Sequence, residues 1–362
     1  MFAIGQYGAR GVDVNEDGKV VRGGKQIGIR GAQRVFSKEA TNAVYGRLVR
    51  DALERPGDLR VQFIRAAECD PYPAQLLAGT MHGRGSVLPD AALCEWASMQ
   101  LRGRSHFEAR VGYVALRPRT GEPGRVECPL CHSSFVLEGS VHHLTCTSVR
   151  AGAHTRTIHD PVSQKLARLV VEGSLGDEAL PRGDPPVRRV ERPFDFGTYD
   201  GVMDLMIMLG AGVRRVGHNV IPPGAIVGVD TVVVTLMPTG TIALADLFKA
   251  RSAAKAAARA PMAVANGAAV YVNNLHSDLG HAAPETRDLI DACVPADAPD
   301  RAHCVRTARK VITLCILEGR AQTAVEYLRK AAQYDASART HGPSWGAEDR
   351  GPRAAGLYAV DH

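Results

Sequence analysis

The chain reads as an α/β protein in which a helical region built around a zinc knuckle precedes a small mixed sheet with further helices at its C-terminal end. Three observations predict this. Cys128, Cys131, His142 and Cys146 stand in the spacing C-x2-C-x10-H-x3-C, the pattern of a small metal-closed unit. The runs 202–209 and 229–236 are apolar and of strand length, and the second is β-branched, which suits strands covered on both faces. Around and after them lie alanine- and leucine-rich stretches with apolar residues at helical spacing.

In chain order, residues 1–35 carry interleaved glycine, lysine and arginine and read as a basic, flexible arm. Residues 36–172 form the helical region. A helix capped by Ser37 repeats Ala40, Val44, Leu48 and Ala52, a second covers roughly 59–68, and a third opens near Asp90 and carries Leu93, Trp96 and Met99. A connection with Arg102, Arg104, Arg110, Arg117, Arg119 and Arg125 leads into the knuckle and could meet phosphates. After the knuckle, Asp160 can cap a new helix with Pro161 at its first position, where a missing amide hydrogen costs nothing. Proline, glycine and arginine over 173–193 mark a linker and a domain boundary. The second domain spans 194–334. It holds the two strands, an alanine-rich helix from about Ala243 to Ala265 that Pro261 kinks or ends, a short strand at 269–273, and a helix from Pro284 to about Cys293. Two helices follow at roughly 300–317 and 320–333, separated near Gly319, and 335–362 reads as a frayed tail.

The 362 residues leave room for about two or three compact units. Hydrophobic residues make up 45% and charged residues 23%, a balance that buries a core and excludes disorder throughout. The net charge of +6, supplied largely by arginine, points to a polyanionic partner, DNA or RNA. No apolar run reaches the roughly 18 residues of a membrane span. The N-terminus lacks a basic region followed by an apolar core, so an intracellular, reducing and, for a nucleic-acid partner, nuclear setting is expected. Cys69, Cys94, Cys293, Cys304 and Cys315 are then expected to be core thiols.

Thiolates and imidazoles in the knuckle spacing can close a tetrahedral shell on one zinc ion, with His143 a rival for His142. Four protein ligands leave no open position, so that metal holds structure and performs no chemistry. In the second half, Asp204 and Asp230 sit on the two apolar strands and Lys255 on the following helix. Two carboxylates can hold Mg²⁺ while a lysine offsets phosphate charge, the requirements of metal-dependent phosphodiester hydrolysis. The glycines of 210–217 miss the G-x-G-x-x-G spacing and a strand is expected to follow, so a dinucleotide site is not expected. No phosphate-binding loop, G-x-S-x-G or H-E-x-x-H occurs.

The order of these pieces carries a resemblance. Leu88-Pro-Asp-Ala-Ala-Leu before a helix, the knuckle with Gly139, His159-Asp160-x-Val162, two strands bearing Asp, and an Ala/Lys helix together resemble the C-terminal region of non-LTR retrotransposon polyproteins. There a zinc knuckle precedes a restriction-like endonuclease of the PD-(D/E)XK superfamily. The resemblance covers roughly 70–330, without a reverse transcriptase ahead of the knuckle. It implies His142 as the knuckle histidine, and His159-Asp160 as the element following it, with Ile158 where arginine is usual. It implies Asp204 as the first catalytic aspartate with Asp195 as a rival, Asp230 as the second, and Lys255 as the helix lysine. Ser252 stands where a helix glutamate is usual, Ala258 and Arg259 where lysine and tyrosine are, and His276 near where a further glutamate is.

Two functions follow from this reading. One is a nucleic-acid-binding protein of retroelement descent that hydrolyses DNA phosphodiesters with Mg²⁺. The other is a decayed, domesticated module that binds nucleic acid within a ribonucleoprotein or other larger assembly without cutting it. Convergence of Asp204 (or Asp195), Asp230 and Lys255 within about 5–6 Å separates them, because a shared ion requires that approach.

Overall fold

The computed structural model describes residues 90–102, 105–108, 124–137, 141–173, 201–209, 214–236 and 243–341, together with short pieces elsewhere, among them 12–14, 20–22, 25–26, 69–75, 117–118, 187–188 and 193–194. Of the helices expected at 37–52 and 59–68 only Arg47, Arg50 and Ala66 are described, all three as helical; most of the linker, Asp195 and residues 342–362 of the tail lie outside the described residues. Within the arm, β1 (Val12–Val14), β2 (Val20–Arg22) and β3 (Lys25–Gln26) form a short antiparallel meander, where the glycine content led to the expectation of a flexible stretch.

Helix α1 (Tyr72–Gln75) is a single short turn after Asp70-Pro71, and α2 (Asp90–Arg102) begins at the expected Asp90. Strands β4 (Arg117–Pro118), β5 (Arg125–Glu127) and β6 (Ser134–Val136) make a small sheet that carries the first knuckle cysteines in its turn. Next come α3 (His142–Thr145) and α4 (Thr147–His154). A π-helical turn over Thr155–His159 joins α4 directly to α5 (Asp160–Glu172). The sequence suggested a fresh helix start at Asp160; the chain instead widens for one turn and continues. Pro161 explains the wide turn, because it offers no amide hydrogen to the Thr157 carbonyl four residues back, and the Asp160 N–H bonds Thr155 instead.

The central sheet runs in the order β14 (Val270–Ser277), β13 (Ile226–Val234), β10 (Leu205–Met208), β7 (Val187–Arg188). Strands β13 and β14 are parallel, joined by α6 (Leu244–Ala265), and the other pairs are antiparallel. This is the mixed sheet that the two apolar runs implied. Strands β8 (Pro193–Phe194) and β9 (Gly201–Val202) pair beside it, and β11 (Arg214–Val216) and β12 (Asn219–Ile221) form a hairpin after the glycine-rich loop. Pro261 stays inside α6 and does not end it. Gly228 lets the helix lie close on β13, since a side-chain carbon there would press on the Ala263 methyl at 2.8 Å.

Helices α7 (Pro284–Cys293) and α8 (Arg301–His341) complete the fold. Residues 301–333 lie in one helix, not two, and it runs on into the expected tail. Gly319 costs a helix interior about 1 kcal/mol relative to alanine, but any side chain there would collide with the Thr157 carbonyl of the π-turn. It marks a helix crossing, not a helix end.

The buried residues on either side of the expected boundary share one core. Ile158, Val162, Leu166 and Leu169 from the π-turn and α5 pack with Leu205, Ile207, Val227 and Val229 of the sheet and with Ile312 and Ile316 of α8. A second cluster joins Trp96 and Met99 of α2 to Phe248, Leu275, Leu317 and Ala321, and a third surrounds the knuckle with Tyr327 and Ala331. Of the cysteines expected inside, Cys293 and Cys304 are buried and Cys69 and Cys315 partly so, whereas Cys94 faces solvent on α2, whose other face carries Trp96.

Two buried charge sets tie the layers. Asp70 takes the Arg309 guanidinium at 2.7 Å and the Ala282 amide at 3.0 Å, which anchors the segment before α1. Arg320 of α8 lies between Glu95 of α2, at 3.3 Å, and Asp278 beyond β14. All three are almost fully buried, so each needs the others to offset lost hydration. Replacing Arg320 with Met strands two buried carboxylates. A loss of about 3–5 kcal/mol in denaturant-unfolding free energy is expected, and a change below about 1 kcal/mol would contradict this role.

Candidate metal centre and carboxylate site

The turn between β5 and β6 holds Cys128 and Cys131, while α3 and its end supply His142 and Cys146. One ligand atom from each of the four lies within 4.8 Å of the others. The Cys128 and Cys146 sulfurs are 3.8 Å apart. Two zinc–sulfur bonds of about 2.3 Å at a tetrahedral angle give an edge of about 3.8 Å. Cys131 Sγ stands 3.4 Å from His142 Nε2, close to the mixed sulfur–nitrogen edge. The four residues thus lie together in a way compatible with a zinc site.

His142, and not His143, faces the cysteines. Phe135 stacks on its ring at 4.2 Å and 12°, which fixes the imidazole plane. His143 points the other way, buried beside Phe107, with Nε2 3.3 Å from Ser105 Oγ; Ser105 in turn donates to Glu95 at 2.7 Å. Burial pushes its pKa down to about 4, so it is a neutral core histidine. Hydrogen bonds first from Cys146, then from His142 and Tyr327, hold the Cys128 thiol well below its usual range against the opposing effect of burial. The Tyr327 hydroxyl of α8 lies 3.4 Å from that sulfur. The neighbouring Arg125 braces the knuckle hairpin through Ser134, its Nε 3.2 Å from the hydroxyl.

The second site is laid out by strand register. Leu205 of β10 pairs with Val229 of β13, so the next pair outward is Asp204 with Asp230. Asp230 pairs in turn with Asn273 of β14. Three neighbouring strands therefore place Asp204, Asp230 and Asn273 in one row across the sheet. From α6, Lys255 Nζ reaches Asp230 Oδ2 at 2.8 Å, and Arg259 approaches the same oxygen at 4.0 Å. The structure brings Asp204, Asp230 and Lys255 together at one end of the sheet.

Each carboxylate has its own electrostatic setting. Burial and the charge of Asp204 push Asp230 up, while Lys255 opposes the shift. Asp204 is pulled down, because His159 and the Thr231 amide outweigh its burial. The shifts run in opposite directions because the nearby Asp204 charge disfavours a second charge on Asp230. Burial works against the charged form of His159, but bonds to Asp204 and then Asp160 raise its pKa to about 9. The imidazolium stands 3.1 Å from Asp204 Oδ2 and 3.0 Å from Asp160 Oδ1.

Sequence reasoning gave no role to two neighbours, Tyr271 and Asn273. Tyr271 donates its hydroxyl to Asn273 Oδ1 at 2.8 Å and lies 3.4 Å from Asp230 Oδ2. Asn273 donates to Ser252 Oγ at 3.0 Å, and Ser252 also bonds the Glu285 carboxyl of α7. Alternation along 271–273 was the available signal, since it puts Tyr271 and Asn273 on the face that Asp230 uses. His159 was visible as a motif residue but not as a partner of Asp204. His276 belongs elsewhere: it bonds Asn274, which joins Thr231 and Ser163 on the α5 side of the sheet.

If the knuckle holds zinc, the full chain should carry one ion per molecule, and Cys128→Ser should lose it with a fall in melting temperature of at least several degrees. Metal analysis with a melting curve decides this; a metal-free wild type would refute the centre. Among the described residues no helix is long and apolar enough to cross a membrane. Compared with family models, curated proteins and solved structures, the chain shows no match.

Proposed function

We propose that this chain is a nucleic-acid-binding protein of retroelement descent whose carboxylate pair cuts DNA with Mg²⁺. The observation that carries the reading is the row of Asp204, Asp230 and Asn273 with Lys255 placed on Asp230 at 2.8 Å. It supports the likeness to the restriction-like endonucleases of non-LTR retrotransposons, with the Cys/His knuckle upstream in the same order. A nuclear setting goes with that descent.

Asp204 and Asp230 would hold Mg²⁺, whose chemistry when bound is to acidify water and offset phosphate charge. The chain's own groups supply the rest. His159 and the Thr231 amide orient the Asp204 carboxylate. Lys255, with its side chain about a third exposed, can follow a phosphate oxygen without leaving the site, and Arg259 adds a second positive charge behind it. Tyr271 and Asn273 hold the floor of the site rigid by their mutual bond. The knuckle, closed by zinc, would fix α3 and α4 against α8 and present the basic segments before it to nucleic acid.

The second reading, a module that binds without cutting, draws on one observation. The third member of the row is the neutral Asn273, and Ser252 stands on the facing turn of α6, so the site has two carboxylates where a stronger cation site has three. Nicking of supercoiled plasmid in Mg²⁺ separates the readings. Wild type should nick, Asp230→Ala should abolish nicking while DNA binding persists, and Lys255→Ala should slow it by about a hundredfold or more. Nicking that persists in Asp230→Ala refutes the site, and a wild type that binds DNA but never nicks favours the binding module.

A further inference from the structure

His159 reaches the carboxylates from a different layer than Lys255 does, and the route by which it gets there begins at the knuckle. Cys146, a knuckle ligand, is the residue from which α4 starts, and α4 runs without a break through the π-turn that ends on His159. Wide turns of this kind are uncommon and gather at functional sites, because they displace one side chain from the ordinary helical path. Here the turn follows from Pro161, which frees the Thr157 carbonyl and lets it approach α8 at Gly319.

The turn is clamped on one face of α8. Thr157 Oγ1 donates to the Ala153 carbonyl at 2.8 Å and lies 2.7 Å from Thr323 Oγ1. Thr323 bonds the Gly319 carbonyl at 2.9 Å, and Arg156 pairs with Glu326 at 2.9 Å. The next residue, Tyr327, places its hydroxyl on Cys128. Gly319, Thr323 and Tyr327 recur at one helical turn, so a single stripe of α8 grips the knuckle at one end and the π-turn at the other.

At the end of that path, Asp204 Oδ2 receives two donors, His159 Nε2 at 3.1 Å and the Thr231 amide at 2.6 Å. That oxygen is committed, and the two donors on it fix the plane of the carboxylate. The rotation of the Asp204 carboxylate therefore depends on where the imidazole stands. We propose that His159 is a positioning residue for the Asp204–Asp230 pair and that the zinc knuckle sets its place through the α4–π-turn rod and the facing stripe of α8. This rests on the nuclease reading given above, and it makes the knuckle part of the cutting machinery in addition to a fold-holding unit.

The test joins a spectroscopic readout to a kinetic one on the full chain. In protein with ¹⁵N-labelled histidine, Asp204→Asn should move the His159 Nε2 resonance, and so should removal of zinc by a chelator. Where chelation unfolds the chain, Thr323→Val, which keeps the knuckle and the shape of the side chain, must move the same resonance. In plasmid nicking, His159→Ala should lower kcat by about a hundredfold, with KM for DNA within about twofold of wild type. His159→Gln, whose amide can still donate to Asp204, should recover most of that loss. A His159 resonance indifferent to both Asp204→Asn and the knuckle-side perturbation overturns the proposal, as does wild-type kcat in His159→Ala. A wild type that cuts nothing while the resonance responds supports the link from knuckle to carboxylate and refutes the nuclease reading alone.

Discussion

The passage of one helix through three apolar clusters is the constraint on which this structure depends. Helix α8, at 41 residues about 60 Å long, contributes Ile312 and Ile316 to the cluster shared with α5 and the sheet, Leu317 and Ala321 to the cluster around Trp96, and Tyr327 and Ala331 to the cluster around the knuckle. Each cluster is modest in size, and no two need be adjacent for the helix to connect them. Because a helix transmits position along its axis with little bending, the knuckle and the carboxylate row are held in a fixed relation by one rigid element. The Arg320 triad and the Asp70–Arg309 pair then fix the rotation of that element about its own axis, since buried charges tolerate few alternative partners.

The charge pattern at the carboxylate row follows from the layers that meet there. Asp204 is approached by an imidazolium from the α5 side, and Asp230 by an ammonium from the α6 side. Without these two cations, the charge on either neighbouring carboxylate would disfavour ionisation of the other. With them, Asp204 is held below the usual carboxylate range while Asp230 is pushed above it. Such a split between neighbouring acids is common where protons or cations are exchanged, although structural ion-pair networks also produce it.

What the sequence could reveal was set by how local each signal is. The knuckle spacing is local, and the structure gathers the four residues it named. The β-branched run around Asp230 is local too, and it becomes β13. The choice between His142 and His143 was not local: it is settled by Phe135 on one side and by Ser105 and Glu95 on the other. Gly319 misled because its reason lies in the Thr157 carbonyl, some 160 residues earlier in the chain. The boundary drawn at the proline-rich segment likewise missed a core to which both sides contribute, since composition marks where a chain is irregular and not where burial stops. His159 was conspicuous beside Asp160, but only strand register shows that Asp204 comes within its reach.

The proposed site requires that two carboxylates on adjacent strands hold a divalent cation while the Cys/His cluster holds a different metal. Anomalous diffraction from crystals of the full chain grown with manganese, recorded at the manganese and zinc absorption edges, tests both halves at once. A manganese peak is expected about 2.1 Å from oxygens of both Asp204 and Asp230, and a zinc peak among Cys128, Cys131, His142 and Cys146. A manganese peak absent from the carboxylate row, or one that touches neither aspartate, would contradict it.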